Sequence, residues 1–190
     1  MKLITKLVDL QIIDKKDTDL YEYSINILKG YIFFGFVILL FNLYTKEYKE
    51  TFLFLLLFFS FRRYCGGLHL NNSLACIFFS IILTITIPFF CSNYSFSPIV
   101  IICLQITLSV FLYFFPIVDN PKKSVTNNQK IIYKKYSRLL IISCFIVNIL
   151  LIYINRMEIS MTILSTICVT CISVAFGYIK YWDYLREKNN

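Results

Sequence analysis

Apolar side chains fill six stretches of the chain, and polar segments separate them. The stretches cover residues 27–44, 52–61, 74–91, 97–118, 139–154 and 159–181. Most of them reach or approach the roughly 20 residues that an α-helix needs to cross the hydrocarbon core of a bilayer. The pattern therefore predicts an all-α membrane protein with about six transmembrane helices.

The second apolar stretch, residues 52–61, is too short to cross a bilayer by itself. It could be lengthened by Tyr48–Thr51, lie in a locally thinned region of the membrane, or span only partly. The pattern leaves these alternatives open. They matter because the polar segment that follows carries the candidate chemistry.

The N-terminal segment, residues 1–26, is amphipathic and contains no long apolar run. Leu3 and Leu7 repeat on one helical face, and charged residues lie elsewhere. This spacing predicts an interfacial helix at the membrane surface, not a cleavable signal. We therefore expect one domain over residues 1–190, with the interfacial helix followed by a transmembrane bundle over 27–181.

Composition supports the bilayer as the solvent of this chain. The residues are 58% hydrophobic and 16% charged, with a formal net charge of +8, whereas globular domains are about 45–50% apolar and about 25% charged. In so apolar a chain, excess basic charge more often marks cytoplasmic loops than nucleic-acid binding. No soluble basic module remains outside the apolar stretches, so we expect no nucleic-acid partner.

Loop charges predict the orientation. The segment 119–138, between the fourth and fifth stretches, carries six basic residues, namely Lys122, Lys123, Lys130, Lys134, Lys135 and Arg138. The connections at 92–97 and 155–158 contain only one basic residue, Arg156. Because positive loops remain in the cytoplasm, we expect the basic loop, the loop at 62–73 and both termini to be cytoplasmic.

The segment from Arg62 to Cys76 concentrates the residue types that carry chemistry. It holds His69, the only histidine of the chain, just after Gly66 and Gly67. Glycines allow backbone conformations that other residues rarely adopt. We take this segment, residues 62–76, as the candidate catalytic loop.

Helix capping places Cys76 near the start of the third helix. Asn71, Asn72 and Ser73 are all favoured N-cap residues, and we expect that helix to begin at about Asn72. The positive end of a helix favours a thiolate, which is the nucleophilic form of cysteine. An imidazole within reach can accept a proton and return it to a leaving group. His69 and Cys76 are therefore the minimum parts of a cysteine peptidase dyad, provided that His69 precedes the helix.

Simpler interpretations remain open for the same residues. A lone loop histidine is often only solvated, and Cys76 could be an apolar filler. Cys65, four residues before His69, is a rival nucleophile without a position at a helix start. One histidine and two cysteines fall short of a structural zinc site, so we expect no metal and no cofactor.

Polar residues inside the apolar stretches predict helix–helix contacts. The amides of Asn42, Gln105 and Asn148 would lack partners in lipid, so we expect them to form interhelical hydrogen bonds. No stretch carries a mid-membrane acid or base, as pumps and proton-coupled carriers usually do. A small-solute or peptide transporter and a noncatalytic membrane scaffold nevertheless remain alternatives to an enzyme.

The catalytic-loop motif also resembles a known family. The pattern Arg-x3-Gly-Gly-x-His-x6-Cys is formed by Arg62, Gly66, Gly67, His69 and Cys76. It resembles the AgrB family, the accessory gene regulator B proteins of Gram-positive quorum-sensing systems. Chain length, the amphipathic N-terminus and the segment PIVDNPKKS at 116–124 are also similar.

The resemblance implies a cysteine endopeptidase of the bacterial cell membrane. Such an enzyme cleaves the C-terminal part of an AgrD-like precursor peptide, keeps the remainder as a thioester on Cys76, and promotes closure of a thiolactone or lactone ring. The resemblance further assigns His69 as base and acid, Arg62, Gly66 and Gly67 as site-shaping residues, and Lys122 and Lys123 as substrate contacts. Its partners would be the precursor and membrane lipids; a homodimer is plausible, although no motif requires one.

Overall fold

The computed structural model describes residues 14–68, 73–94, 96–115, 117–118 and 125–182. Within these residues the chain forms six α-helices and no strand. The helices are α1 (Thr18–Thr45), α2 (Tyr48–Cys65), α3 (Ser73–Asn93), α4 (Pro98–Phe114), α5 (Asn127–Tyr153) and α6 (Met157–Lys180), and a 3-10 turn over Lys15–Asp17 precedes α1. The predicted all-α fold is confirmed.

Four of the described helices, α1, α3, α5 and α6, are long and apolar enough to cross a membrane. Helix α4 is apolar but has only 17 residues. Helix α2 covers Tyr48–Cys65, and its 18 residues correspond to about 27 Å at about 1.5 Å per residue. It therefore includes Tyr48–Thr51, one of the three alternatives for the short second stretch, and continues through Arg62.

Helix α1 differs from the predicted boundary near residue 26. It runs without a break from Thr18 to Thr45, because the sequence around residue 26 contains neither proline nor a polar cluster that would end a helix. Residues 18–26 are thus the first turns of α1 and not part of a separate helix. The remainder of the predicted interfacial helix, residues 1–13, lies outside the described residues.

Helix α6 is the centre of the bundle and packs against α2, α3, α4 and α5. Its buried face carries small hydroxyl residues: the Thr166 and Thr170 hydroxyls donate to the carbonyls four residues earlier. Side chains this small, with their polar atoms satisfied inside the helix, let neighbouring helices approach closely. Helix α1 is peripheral, and only Ile38 and Asn42 are buried along it.

The predicted interhelical amide contacts are confirmed. The Thr51 hydroxyl donates to Asn42 Oδ1 at 3.0 Å, which joins α1 to α2. Asn148 Nδ2 donates to Gln105 Oε1, and Gln105 Nε2 donates to the Cys144 carbonyl at 3.3 Å, which joins α4 to α5. These bonds give each of the three amides a partner on another helix, away from lipid, although Asn148 Oδ1 is buried and has no partner among the described residues.

The C-terminal ends of α2, α4 and α6 meet the N-terminal ends of α3 and α5 at one end of the bundle. The Val118 amide, just after α4, donates to the Cys65 carbonyl at 3.2 Å. The Leu68 amide, just after α2, donates to the Ser173 carbonyl of α6 at 2.9 Å. This end carries the candidate catalytic segment, and its predicted cytoplasmic location stays a prediction.

Candidate active site

A glycine turn, Gly66–Leu68, directly follows α2 and forms one wall of the candidate site. Gly66 has φ 75° and Gly67 has φ 134°, both in the region that side chains with a Cβ rarely adopt. Helix α2 ends at Cys65, because Gly66 adopts φ 75° and ψ −144°, which lie outside the helical region. Gly66 and Gly67, which were predicted to shape the site, therefore form a turn whose backbone conformation favours glycine.

Helix α6 holds the glycine turn from one side. The Leu68 amide donates to both the carbonyl and the hydroxyl of Ser173, at 2.9 Å and 3.2 Å. A Cβ on Gly67 would lie 2.6 Å from the Ser173 hydroxyl oxygen, and one on Gly177 would lie 2.7 Å from the Gly67 carbonyl carbon. The absence of side chains at both glycines is what allows the turn to lie directly on α6.

The segment after α4 holds the same turn from the other side. A Cβ on Gly66 would overlap the carbonyl oxygen of Val118. The Val118 amide in turn donates to the Cys65 carbonyl at 3.2 Å. The glycine turn is thus fixed between the end of α4 and the end of α6.

Arg62 connects the glycine turn to α3. Its Nη2 atom donates to the Leu68 carbonyl at 3.2 Å and to the Cys76 sulfur at 3.3 Å. The guanidinium carbon also lies 5.8 Å from the centre of the Phe58 ring, one turn earlier on α2. A single cation therefore contacts both the candidate nucleophile and the backbone that leads into residue 69.

Cys76 lies in the first turn of α3, which is described from Ser73, one residue after the predicted start. The thiol is free and half-buried. Its sulfur is close to a helix N-terminus and accepts a hydrogen bond from the Arg62 guanidinium. Cys76 therefore lies beside a cation at the start of a helix, and its role as the nucleophile stays a prediction.

Cys65 has different surroundings, although it is only three residues from Arg62. It is 5% exposed, and its sulfur lies 3.1 Å from the Ser137 hydroxyl oxygen of α5. The hydrophobic core cluster that encloses it also contains Phe61 and Val174. Burial in this cluster, with no bonded cation among the described residues, distinguishes this thiol from that of Cys76.

Other predicted site residues lie outside the described residues: His69, Lys122 and Lys123. The proximity of His69 to Cys76 and the substrate contacts of the two lysines therefore stay predictions. Among the residues that are described, Arg62, the glycine turn and Cys76 come together.

Sequence reasoning missed Ser173 and Gly177, which support the glycine turn from α6. The available signal was their spacing: two small residues four positions apart lie on one helical face and allow close approach of another backbone. In an apolar stretch already rich in small residues, that signal did not indicate which partner they contact.

Comparison with known proteins places the chain in a family. The family model described as accessory gene regulator B matches residues 1–174, which include Arg62, the glycine turn, Cys76 and Ser173 but not Gly177. Neither the curated proteins nor the solved structures gave a match. The matched region covers most of the 190 residues and contains the apolar helices of a membrane protein. The chain therefore belongs to the accessory gene regulator B family and has a role in the accessory gene regulator system.

Proposed function

We propose that this protein is a membrane-embedded cysteine endopeptidase that removes the C-terminal part of a small quorum-sensing precursor peptide. Cys76 is the nucleophile, and His69 completes a dyad with it. The single observation that carries the proposal is the bond from Arg62 Nη2 to the Cys76 sulfur at 3.3 Å in the first turn of α3. A structural cysteine in a membrane protein needs no such cation.

The reaction proceeds through an acyl-enzyme. The Cys76 thiolate attacks the carbonyl carbon of the scissile peptide bond, the carbon–nitrogen bond breaks, and the leaving amine takes its proton from His69. A thiol or hydroxyl of the retained peptide then attacks the thioester carbonyl and gives its proton to His69. The sulfur of Cys76 leaves as a thiolate, and the product is a thiolactone or lactone ring.

Arg62 has two roles in this proposal. Its hydrogen bond to sulfur is charge-assisted when the sulfur is a thiolate, so the guanidinium stabilises the attacking form. Its second bond holds the carbonyl of Leu68, the residue immediately before His69. The chain that leads to the proposed base therefore passes beside the nucleophile. A dyad in which the histidine precedes α3 requires this placement.

Charge at this end of the bundle suits an acidic precursor tail. Described cations at this end include Arg62, Arg63 and Lys135, and Lys122 and Lys123 are the proposed direct contacts. An array of like charges attracts an oppositely charged peptide before it docks. We propose that this end and both termini are cytoplasmic, in a bacterial cell membrane.

The test compares three variants in proteoliposomes supplied with the precursor peptide. Cys76→Ser and His69→Ala should each lower the cleavage rate by at least about 10³-fold, because removal of one member of a catalytic unit removes most of its effect. Cys65→Ser should retain the rate within about twofold, because that thiol is 5% exposed and its described contact is with Ser137 and not with Arg62. Mass spectrometry of the trapped wild-type enzyme should show the peptide as a thioester on Cys76. Normal cleavage by Cys76→Ser would end the proposal.

A further inference from the structure

A narrow crevice lies at the same end of the bundle as Cys76 and is lined by Cys65, the residue just before the glycine turn. Four elements line it: the end of α2, the end of α4 with the segment after it, the start of α5, and α6. The lining includes Cys65, Tyr113, Lys134, Ser137, Arg138 and Val174. Because Val174 directly follows Ser173, which holds the glycine turn, the crevice shares a wall with the candidate active site.

Two cations line this crevice without an acidic partner among the residues that the structure describes. Lys134 and Arg138 lie one turn apart on α5, and no acidic side chain is among the described lining residues. The Arg138 guanidinium carbon lies 4.4 Å above the Tyr113 ring, which holds it in place. Its Nε atom is buried and has no hydrogen-bond partner among the described residues. A buried charged donor without an acceptor is costly, so the crevice is suited to an anionic ligand.

Sequence position puts this crevice at the depth of lipid headgroups. Arg138 immediately precedes the apolar stretch that starts at Leu139 and continues to the end of α5. Lipid phosphates lie just outside the hydrocarbon core, at the level where such a stretch begins. Apolar side chains near the crevice remain exposed: Phe114 is 72% exposed, Leu139 is 54% and Ile142 is 51%.

We propose that this crevice binds the phosphate group of an anionic phospholipid, whose acyl chains lie along the exposed apolar surface of α4 and α5. Arg138 and Lys134 supply charge-assisted hydrogen bonds to the phosphate oxygens. Basic pockets between transmembrane helices bind anionic headgroups in this manner. The exposed apolar surface beside the crevice favours a lipid as the ligand. An acidic peptide would contact the two cations but would have no need of that apolar surface. This proposal does not rest on peptidase activity.

The test uses native mass spectrometry of the purified full-length protein in detergent, titrated with phosphatidylglycerol or with phosphatidylcholine. Wild type should bind phosphatidylglycerol more tightly than phosphatidylcholine. Arg138→Gln should weaken phosphatidylglycerol binding by about 10-fold, the loss expected for one charge-assisted bond. Lys134→Gln should weaken it in the same direction, and it carries the test if Arg138→Gln does not fold.

The matched control is Arg63→Gln, which removes a guanidinium from the same end of the bundle. Arg63 is exposed and does not line the crevice, so binding should change less than about twofold, as for exposed charges generally. Equal losses in Arg63→Gln and Arg138→Gln, or equal affinity for the two lipids, would overturn the proposal. So would Arg138-dependent binding of inorganic phosphate as tight as that of the lipid, or Arg138-dependent binding of an acidic peptide in place of the lipid.

Discussion

Two cysteines, one just before the glycine turn and one just after the loop that follows it, differ in burial and in their neighbouring side chains. On one face, Cys65 is 5% exposed and its sulfur lies 3.1 Å from the Ser137 hydroxyl oxygen. On the other face, Cys76 is half-buried and its sulfur lies 3.3 Å from the Arg62 guanidinium. The comparison shows that neighbours, not residue type or proximity in sequence to His69, distinguish a packing thiol from a candidate nucleophile.

Both faces depend on how tightly the turn lies on α6, and Gly177→Ala tests that dependence. The added Cβ would lie 2.7 Å from the Gly67 carbonyl carbon and 2.8 Å from the Leu68 nitrogen, both of them backbone atoms. The turn must shift, and a displacement of about 1 Å near a reacting centre can cost about 100-fold in rate. We expect precursor cleavage in proteoliposomes to fall by about that factor.

Gly35→Ala is the control for that change. No atom lies within 4 Å of a Cβ built on Gly35 of α1, so this variant should cleave at the wild-type rate and should be slightly more stable, because alanine favours helix more than glycine. Equal losses of activity in the two variants would show that cleavage does not depend on the contact between α6 and the glycine turn.

Arg62→Gln tests the cation on the Cys76 face. The variant loses the charge that contacts the sulfur and retains a polar side chain, so we expect cleavage to slow by about 30-fold, as for a charge-assisted hydrogen bond of about 2 kcal/mol. Arg63→Gln removes a neighbouring exposed guanidinium that contacts only the Tyr64 ring among the described interactions, and its rate should stay within about twofold. A rate loss in Arg63→Gln as large as that in Arg62→Gln would assign the effect to overall charge.

Ser137→Ala tests the Cys65 face and has the smallest expected effect. It removes the hydroxyl bonded to the Cys65 sulfur, which should lower the free energy of unfolding by about 1 kcal/mol. Thermal denaturation in detergent measures that loss, and the cleavage rate should not change. A variant of normal stability with impaired cleavage would make Cys65 part of the catalytic chemistry.

Much of the fold was predictable, because hydropathy alone locates the helices and a buried amide must find a partner. The interhelical bonds of Asn42, Gln105 and Asn148 follow from that requirement. Capping preferences predicted a start near Asn72, and α3 is described from Ser73 onward.

Other features were not predictable, because they depend on tertiary contacts. The sequence does not show that Arg62 donates a hydrogen bond to Cys76, or that the glycine turn packs directly against Gly177. The boundary near residue 26 was misplaced because amphipathic and apolar segments can share one continuous helix, as they do in α1.

The most direct test of the account is to identify the thiol that reacts first with a water-soluble electrophile. The full-length protein in liposomes is treated with iodoacetamide below one equivalent, and the modified residue is identified by peptide mapping with and without precursor. Cys103 is exposed but lies within an apolar helix, as the sixth of its 17 residues, where we expect a water-soluble reagent to have little access. We predict that Cys76 is labelled first and that precursor protects it; preferential labelling of Cys65, or labelling of Cys76 that precursor does not slow, would contradict the account.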